Sequence, residues 1–479
     1  MLSEGGGASH IRRFDSRFLL PRLPSTAVLV GALAGWRDAL LAAGVEPVAP
    51  ERARPEDTVF ALNRDADAAL ALGAAQVVLL DSGAGRRRVV AVPDLHSPRV
   101  LAPTGHRAAA RYAVGTWTVA RNRAGRVRQA TAALSVGAGF APPRLPTLRL
   151  AGRAAGPPAV VVAAASAAGV PPGGGWFYTA EGGAASKRSS FFLFAPGAGR
   201  PTAVAKFARL PGRLPSFGRE ERGLAAAATA GAAVAERAPR ALGCTDVGPH
   251  HVCVQSAVPG ANLELILRGP APRARKVGLL EALAEWLVDV ASETSGPANR
   301  AGDERGRLRR QLAAVLPAEA FGVLDRVPTV FQHGDLAGGN ILVDGDAFML
   351  VDWEWATEHG QPLWDLLHFA LHALPLLDGA DWTAPSLRAL FDGSAASSGL
   401  LFGWIRRMAK ALALSEADVG GLALLCWARH AAVTSQVRAE AGAGAGAGAA
   451  SRLGTLPVET ALELWRSDPD FGSGWTRWA

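Results

Sequence analysis

The pattern of apolar and polar positions divides the chain into three regions. Over residues 1–160, short apolar runs such as "TVFAL" and "QVVLL" alternate with stretches of helical periodicity, which is typical of a small α/β domain. Residues 165–260 contain the strand-like runs "WFYTA", "SSFFLF", "AVAKFARL" and "HVCVQS". Residues 261–479 are dominated by amphipathic patterns such as "ARKVGLLEALAEWLVDVAS", which predict a helical region. The Pro- and Gly-rich stretch 141–160 is interpreted as a linker, and the fold class predicted is α+β.

One hairpin is predicted with special clarity inside the helical region. Ile341–Val343 and Ala347–Val351 are apolar runs separated by Asp344-Gly345-Asp346, and a DG turn between apolar runs favours a β-hairpin. Counted outward from Asp346, Asn340 and Asp352 are each six residues away. We therefore expect these two side chains to lie side by side at the open end of the hairpin.

The side chains at the mouth of this hairpin point to metal chemistry. An amide oxygen on Asn340 and a carboxylate on Asp352 are hard ligands of the kind that Mg²⁺ takes when substrate phosphates complete its shell. Asp335, five residues before Asn340, would face the same place as a free base. A polar hairpin with turn and cap residues is the alternative. It accounts for Asp344 and Asp346, but not for the other three residues together.

The segment "HGDLAGGN" followed by "LVDWE" resembles the signature of the aminoglycoside phosphotransferase and choline kinase superfamily. The resemblance covers roughly residues 165–479 and implies a bilobal protein-kinase-like fold. In that fold, 165–260 is a β-rich N-lobe and 261–479 is a helical C-lobe, preceded by the α/β domain 1–160. Protein kinases carry H-R-D-x-x-x-x-N and then D-F-G. Here Gly334 replaces the arginine, and Trp353-Glu354 replaces the Phe-Gly pair.

The resemblance implies a role for each residue of this signature. Asp335 would accept the proton of the substrate hydroxyl, and His333 would brace the catalytic loop. Asn340 and Asp352 would bind Mg²⁺, and Glu354 would contact a second metal or a water. In "GQPLWDLLHFA", Asp365 either supports the catalytic loop or is a simple first-turn carboxylate, and both readings stay open.

The resemblance also implies an ATP site in the β-rich region. Lys206 lies in the middle of an apolar strand, like the lysine of V-A-I-K that holds nucleotide phosphates, in a chain with lysines only at 187, 206, 276 and 410. Its acidic partner would be Glu220 or Glu221, of which helical spacing favours Glu220. The other cofactor-binding candidates are the loop residues Gly182, Gly183 and Ser189 and the hinge residues Gln255 to Ala257.

These roles imply an ATP- and Mg²⁺-dependent phosphotransferase that acts on a hydroxyl of a small molecule. Basic and acidic residues are equal in number over 380–479, where the family builds its acceptor pocket. A polycationic aminoglycoside would favour an acidic pocket, so a sugar, amino sugar or amino alcohol is preferred to the alternative of an antibiotic kinase. Trp382, Trp404 and Trp427 are either core residues or an aromatic cage for a choline-like amine.

Two alternatives belong to other classes of protein. A pseudokinase scaffold should have lost one of Lys206, Asp335, Asn340 or Asp352, and all four are present. A polyanion-binding protein would act through the arginine-rich front half, whose surplus of basic residues is otherwise a solvated face.

The remaining composition predicts a cytoplasmic enzyme without a membrane or nucleic-acid partner, and leaves the oligomeric state open. Three cysteines far apart argue against a disulfide framework, and their spacing is not that of a zinc site. Cys253 is interpreted as a small buried apolar residue. No apolar run reaches the length that spans a bilayer.

Overall fold

The computed structural model describes residues 11–31, 33, 37–80, 89–92, 100–117, 123–141, 147–151, 156–171, 173–180, 188–212, 214–442 and 457–467. The chain forms two compact units, and each is assembled from separate stretches of sequence. The first comprises Met1–Leu214, Ala241–Ala257 and Ala441–Ala449, and the second Pro215–Arg240, Val258–Glu440 and Ala450–Ala479. Among the described residues, no single helix is long and apolar enough to cross a membrane.

The first unit is built on one sheet of twelve strands. The spatial order is β11-β12-β10-β9-β8-β6-β5-β7-β4-β3-β1-β2. Strands β1 to β4 pair in parallel with each other, whereas the remaining pairings are antiparallel. The strands are β1 Thr26–Leu29, β2 Glu46–Val48, β3 Thr58–Leu62, β4 Gln76–Leu80, β5 Val89–Val92, β6 Val100–Pro103, β7 Thr147–Ala151, β8 Trp176–Ala180, β9 Arg188–Leu193, β10 Ala203–Ala208, β11 Ala241–Val247 and β12 His250–Ser256.

Helices cover this sheet on both faces. Those described are α1 Arg37–Ala42, α2 Ala66–Ala71, α3 Arg107–Trp117, α4 Arg123–Gly137 and α5 Ala159–Ala167, with 3-10 turns at Ile11–Leu19, Pro50–Arg52 and Asn63–Asp65. Phe18 and Val160 pack with Phe191 and Phe207 in one core cluster. On the other face, α3 packs against residues of β8, among them Phe177. Residues predicted to form two separate domains therefore share the same cores.

The sheet does not stop at the predicted boundary near residue 160. Strand β6 pairs with β8 through Val100↔Thr179 and Leu101↔Tyr178, so the front region continues directly into the predicted N-lobe strands. The prediction that residues 141–160 form a linker is also wrong. It contains β7, which lies between β5 and β4, and the start of α5. The compact unit extends instead to Leu214.

A buried ion-pair network joins the beginning of the chain to the strand-rich segment. The Arg209 guanidinium donates Nε–H to Asp15 Oδ2 at 3.0 Å, and Arg17 donates to the Arg209 carbonyl oxygen at 2.7 Å. All three residues are almost completely buried. Removing one member of such a network leaves an uncompensated charge inside the unit.

The second unit is mainly helical, as predicted. Its helices are α6 Pro215–Thr229, α7 Ala232–Ala235, α8 Leu263–Arg268, α9 Arg273–Glu293, α10 Gly302–Leu312, α11 Trp364–Leu377, α12 Ala384–Asp392, α13 Ser398–Ala411, α14 Glu416–Gly442 and α15 Pro457–Ser467. Short strands lie between them: β13 Ala261–Asn262, β14 Val330–Gln332, β15 Ile341–Asp344, β16 Ala347–Leu350 and β17 Thr357–Gly360. Trp404 and Trp427 are fully buried core residues, which decides against a cage built from them.

Candidate active site

The predicted hairpin is present as β15–β16, with a register one residue away from the expected one. Ile341 pairs with Leu350 and Asp344 with Ala347, so the turn consists of two residues, with Gly345 at φ 67°. Asn340 therefore lies opposite Val351, whose N–H donates to the Asn340 carbonyl oxygen at 2.9 Å. Asp352 follows one position later.

Asp352 has an unusual backbone conformation at the end of this hairpin. Its φ of 67° and ψ of 62° lie in the left-handed region, which a non-glycine residue rarely adopts. Such strain persists only where the surrounding structure imposes it, and it is concentrated at functional sites. The chain turns here into a short 3-10 turn, Trp353–Trp355.

Asp335 and Asn340 are in direct contact. The Asn340 amide donates Nδ2–H to the Asp335 carboxylate at 3.0 Å and to the Asp335 carbonyl oxygen at 2.9 Å. The protein packed around Asp335 raises its pKa to about 6 although 37% of the side chain is exposed, and the carboxylate of Asp352 adds to the rise. The structure thus brings together the three polar residues that the hairpin pattern singled out.

His333 and Asp365 hold the catalytic loop from beneath. The two carboxylate oxygens of Asp365 accept from the backbone N–H groups of His333 at 2.6 Å and Gly334 at 2.9 Å. His333 Nε2 lies 3.1 Å from the Val351 carbonyl oxygen, and burial lowers the pKa of its imidazole. A neutral ring donating Nε2–H to Val351 ties the loop to the hairpin. Of the two readings left open for Asp365, the structure favours support of the loop.

Gly334 explains the first departure from the kinase pattern. Its φ is +83°, and a Cβ built on it would collide with the carbonyl oxygen of Trp355. An arginine would therefore fit this position poorly. Arg429, on α14, instead donates Nη1–H to the Gly334 carbonyl oxygen at 3.2 Å and lies over the rings of Trp355 and Trp364.

Helix α6 packs closely on the Trp353–Trp355 turn. A Cβ at Gly223 would collide with the carbonyl oxygen of Trp353, so glycine permits this approach. Arg219, on the same helix, forms an ion pair with Glu354 at 3.0 Å and lies over the ring of Trp355. This pairing favours an anchoring role for Glu354 over the predicted contact with metal or water. Glu220 lies on the buried face of α6, 4% exposed.

A cluster of three histidines lies beside Asp335 and was not recognised in the sequence. His368 and His430 stack with ring centroids 4.0 Å apart, and His372 meets His368 edge-on at 4.7 Å. His368 Nδ1 is 3.9 Å from Asp335 Oδ1. Burial lowers the pKa of all three imidazoles, to about 4 for His372. The neutral imidazole of His368 therefore lies next to the Asp335 carboxylate, and His372 and His430 pack against it.

Two ring nitrogens of the histidine cluster are buried and, among the described residues, unsatisfied. Within the part of the chain that the structure describes, His368 Nδ1 and His430 Nε2 are buried and have no hydrogen-bond partner. A neutral imidazole nitrogen can donate to or accept from a hydroxyl group. The i, i+4 spacing of His368 and His372 was a signal available in the sequence, whereas His430 comes from a different helix and carried none.

The residues at the hairpin mouth fit a magnesium ion. Because Asn340 uses its amide N–H groups on Asp335, its side-chain oxygen is left to accept or to coordinate. This oxygen and the carboxylate of Asp352 are both hard donors, and one or two such protein ligands are what Mg²⁺ takes beside phosphates.

The predicted nucleotide residues of the first unit occupy both faces of the sheet. Lys206, on β10, pairs with Ser190 on β9 and Cys253 on β12, and these cross-strand neighbours share one face. Ser189 faces the opposite side, where it is fully buried and lies 2.7 Å from the Tyr178 hydroxyl. Its placement is that of a core residue, so it is ill suited to contact phosphate.

The other candidates of this group are partly described. Gln255 is 7% exposed, and the Ala257 N–H donates to the Thr202 carbonyl oxygen at 3.0 Å. Gly182 and Gly183 lie outside the described residues.

Comparison with known proteins gives one family match. Residues 183–408 match the model of a family described as the phosphotransferase enzyme family. No curated protein matches the chain.

Several solved structures share a general likeness with the chain. The aminoglycoside phosphotransferase APH(3'')-Id of Streptomyces rimosus is 17% identical, with 50% of this chain and 88% of that chain covered and a TM-score of 0.31. A putative aminoglycoside phosphotransferase of Ralstonia eutropha is 13% identical, with 61% and 89% covered and a TM-score of 0.37. A glucosamine kinase is 16% identical, with 82% and 92% covered and a TM-score of 0.36. None of these similarities bears on the choice of substrate.

Proposed function

We propose that this chain transfers the γ-phosphoryl group of ATP to a hydroxyl of a small molecule. Residues 183–408 match the model of the phosphotransferase enzyme family, which supports this proposal. The family and enzyme class predicted from the catalytic-loop signature are confirmed, as is the α+β fold class. The observation that carries the proposal is the contact of Asp335 with Asn340 beside Asp352 and the histidine cluster.

In this mechanism Asp335 orients the acceptor hydroxyl and accepts its proton as the phosphoryl group is transferred. Asn340 holds Asp335 in place through its amide N–H groups. Asn340 and Asp352 would hold Mg²⁺, which neutralises charge on the phosphate oxygens when it is bound with the nucleotide. The roles in nucleotide binding that the resemblance implies for Lys206, for Glu220 and for the Gln255 to Ala257 segment stay predictions.

The surroundings of Asp335 favour a neutral or weakly charged acceptor. His368, His372 and His430 are neutral, and the positive charge of Arg429 on α14 acts on Asp335, so these four side chains do not attract a polycation. His368 Nδ1 lies 3.9 Å from Asp335 Oδ1, and a neutral imidazole nitrogen can bind a hydroxyl group. A sugar or an amino sugar with few positive charges fits the histidine cluster better than an aminoglycoside does. An amino alcohol is the next choice.

The test is acceptor-dependent ADP release by the full-length protein with ATP and Mg²⁺. The panel contains simple sugars, amino sugars, amino alcohols and aminoglycosides, with GTP as a second donor. We expect turnover with at least one sugar or amino sugar. We expect Asp335→Asn to lower kcat by about 10²–10⁴-fold, because the general base is lost.

Asp346→Asn is the matched control, since this exposed carboxylate lies in the turn of the same hairpin. It should leave kcat unchanged. Turnover that survives in Asp335→Asn would show that another group is the base. If the protein binds ATP but no acceptor in the panel is turned over, the pseudokinase alternative is favoured.

A further inference from the structure

The β11–β12 hairpin of the first unit collects four polar side chains on one face. Cys244 pairs with Cys253 across the two strands, and Asp246 pairs with His251. Directly opposed residues of an antiparallel pair lie on the same side of the sheet, and so do residues two apart on one strand. The four side chains therefore form a compact square on one face, while Val252 is buried on the other face.

Three of these side chains have the donor atoms of a metal site. The ligand atoms of Cys244, His251 and Cys253 lie within 4.8 Å of one another. Two sulfurs bound to one zinc ion at about 2.3 Å in tetrahedral geometry are about 3.8 Å apart. Small side-chain rotations would bring the two sulfur atoms to this separation. Neither cysteine is in a disulfide, so both sulfurs are present as thiols.

Asp246 supplies the outer contact that a metal-binding histidine usually has. Its carboxylate lies 2.8 Å from His251 Nδ1, and 75% of its side chain is exposed, whereas the His251 side chain is 16% exposed. A hydrogen bond from Nδ1–H to a carboxylate fixes the tautomer in which Nε2 carries the lone pair. The imidazole is thus oriented to offer Nε2 to a metal.

We propose that Cys244, Cys253 and His251 bind one thiophilic divalent cation, with Zn²⁺ as the expected ion. Two thiolates and an imidazole are soft and borderline ligands that select Zn²⁺ over Mg²⁺. The exposed position of Cys244 gives the ion access to the two sulfurs. The two cysteines are too far apart in sequence for a zinc-finger motif, and only the hairpin register brings them together. The site lies on the same face of the sheet as Lys206, the cross-strand neighbour of Cys253.

Metal binding can be measured directly on the full-length reduced protein. Metal-depleted protein is titrated with Zn²⁺ against a colorimetric chelator, with excess Mg²⁺ present to saturate oxygen-ligand sites. In parallel, Co²⁺ is added and the thiolate-to-cobalt absorption band is recorded. We expect one equivalent of Zn²⁺ per chain and a cobalt–thiolate band.

The variants separate the ligands from their surroundings. Asp246→Asn should weaken Zn²⁺ binding by about 10–100-fold, because it acts only through the orientation of His251. Cys244→Ser should weaken binding further and remove most of the cobalt band, and its exposed position should spare the fold. Thr245→Ser is the matched control on the opposite face of the same strand, and it should bind Zn²⁺ like the parent protein.

Two results would overturn the proposal. One is unchanged Zn²⁺ affinity in Cys244→Ser, His251→Asn and Cys253→Ser. The other is reduced parent protein that binds no Zn²⁺ and gives no cobalt–thiolate band.

Discussion

Gly334 shows how a single residue can explain a departure from a familiar signature. The kinase arginine is absent at this position because the backbone is left-handed and the Trp355 carbonyl oxygen occupies the space of a side chain. Arg429 reaches the same peptide from α14. The substitution in the motif is therefore a consequence of local packing between the catalytic loop and the Trp353–Trp355 turn.

We predict that Gly334→Ala lowers activity by about 100-fold, because the loop that carries Asp335 must move away from Trp355. Gly345→Ala is the matched control, since Gly345 also has a positive φ but a Cβ there meets nothing within 4 Å. The control should cost about 1–2 kcal/mol of stability and keep its kcat. Measuring the free energy of unfolding and kcat of both variants tests whether the loss of activity is specific to Gly334→Ala. Equal kcat values would contradict the prediction.

The histidine cluster makes stability depend on pH in a defined direction. Burial lowers the pKa of His372 from 6.5 to about 4, and lowers those of His368 and His430 well below 6.5. Below pH 6.5 the unfolded chain therefore binds protons that the folded chain does not, so the free energy of unfolding falls as pH is lowered. Above pH 6.5 these groups contribute no pH dependence.

We predict that His372→Gln reduces the loss of stability between pH 6.5 and 4. Each such histidine contributes up to about 1.4 kcal/mol per pH unit while the unfolded chain is protonated and the folded chain is not. Urea unfolding at a series of pH values measures the slope. A variant with the parent slope would show that His372 does not titrate in this way.

At the scale of elements, the catalytic hairpin is the part that the sequence predicted best. The DG turn and the two apolar runs identified β15 and β16, and the spacing of Asp335 and Asn340 identified a pair that is in contact. The register was one residue out because the turn consists of Gly345 and Asp346 alone. Sequence counting cannot decide which residues of a polar stretch belong to a turn.

Other elements could not be read from local pattern. Strand β7 was missed because its run "TLRLA" stands between Pro- and Gly-rich residues, and its strand character comes from pairing with β4 and β5. Ser189 was assigned to a phosphate loop, but strand alternation turns it toward Tyr178. The histidine cluster brings together side chains from α11 and α14. Such a contact between distant helices has no sequence signature.

Helix α6 provides a prediction at the element scale. We predict that Gly223→Ala destabilises the second unit and lowers activity, because a Cβ there collides with the Trp353 carbonyl oxygen and displaces the turn after Asp352. Gly278→Ala is the control, since Gly278 is an exposed glycine of α9 and a Cβ there meets nothing within 4 Å. The control should raise stability by about 0.5–1 kcal/mol. Thermal unfolding measures the change in stability of both variants. Changes of the same sign in both variants would contradict the prediction.

At the scale of the whole molecule, the front region and the Lys206-bearing strands form one folded unit. Shared core clusters and the β6–β8 pairing join them, and Asp15 pairs with Arg209 inside the unit. The alternation of strands and helices did predict an α/β front region. It could not reveal that this region continues the next sheet, because strand pairing depends on residues distant in sequence.

We predict that Asp15→Asn costs about 3 kcal/mol or more, because the buried Arg209 guanidinium loses its counter-charge. Asp38→Asn, an exposed carboxylate at the start of α1, is the control and should stay within about 0.5 kcal/mol of the parent. Urea unfolding gives both values. If the front region were an independent domain, Asp15→Asn would leave ATP binding at the Lys206 strand unchanged, whereas we expect that binding to weaken.

The twelve-stranded sheet limits how this enzyme can be recombined with others. A chimera cut after residue 160 would separate β6 from β8 and Asp15 from Arg209, and each fragment would expose apolar surface. An exchange that respects the fold has to transfer Met1–Leu214 together with the insertion Ala241–Ala257. A donor sequence for such a graft must therefore supply the β11–β12 hairpin as well as the front of the chain.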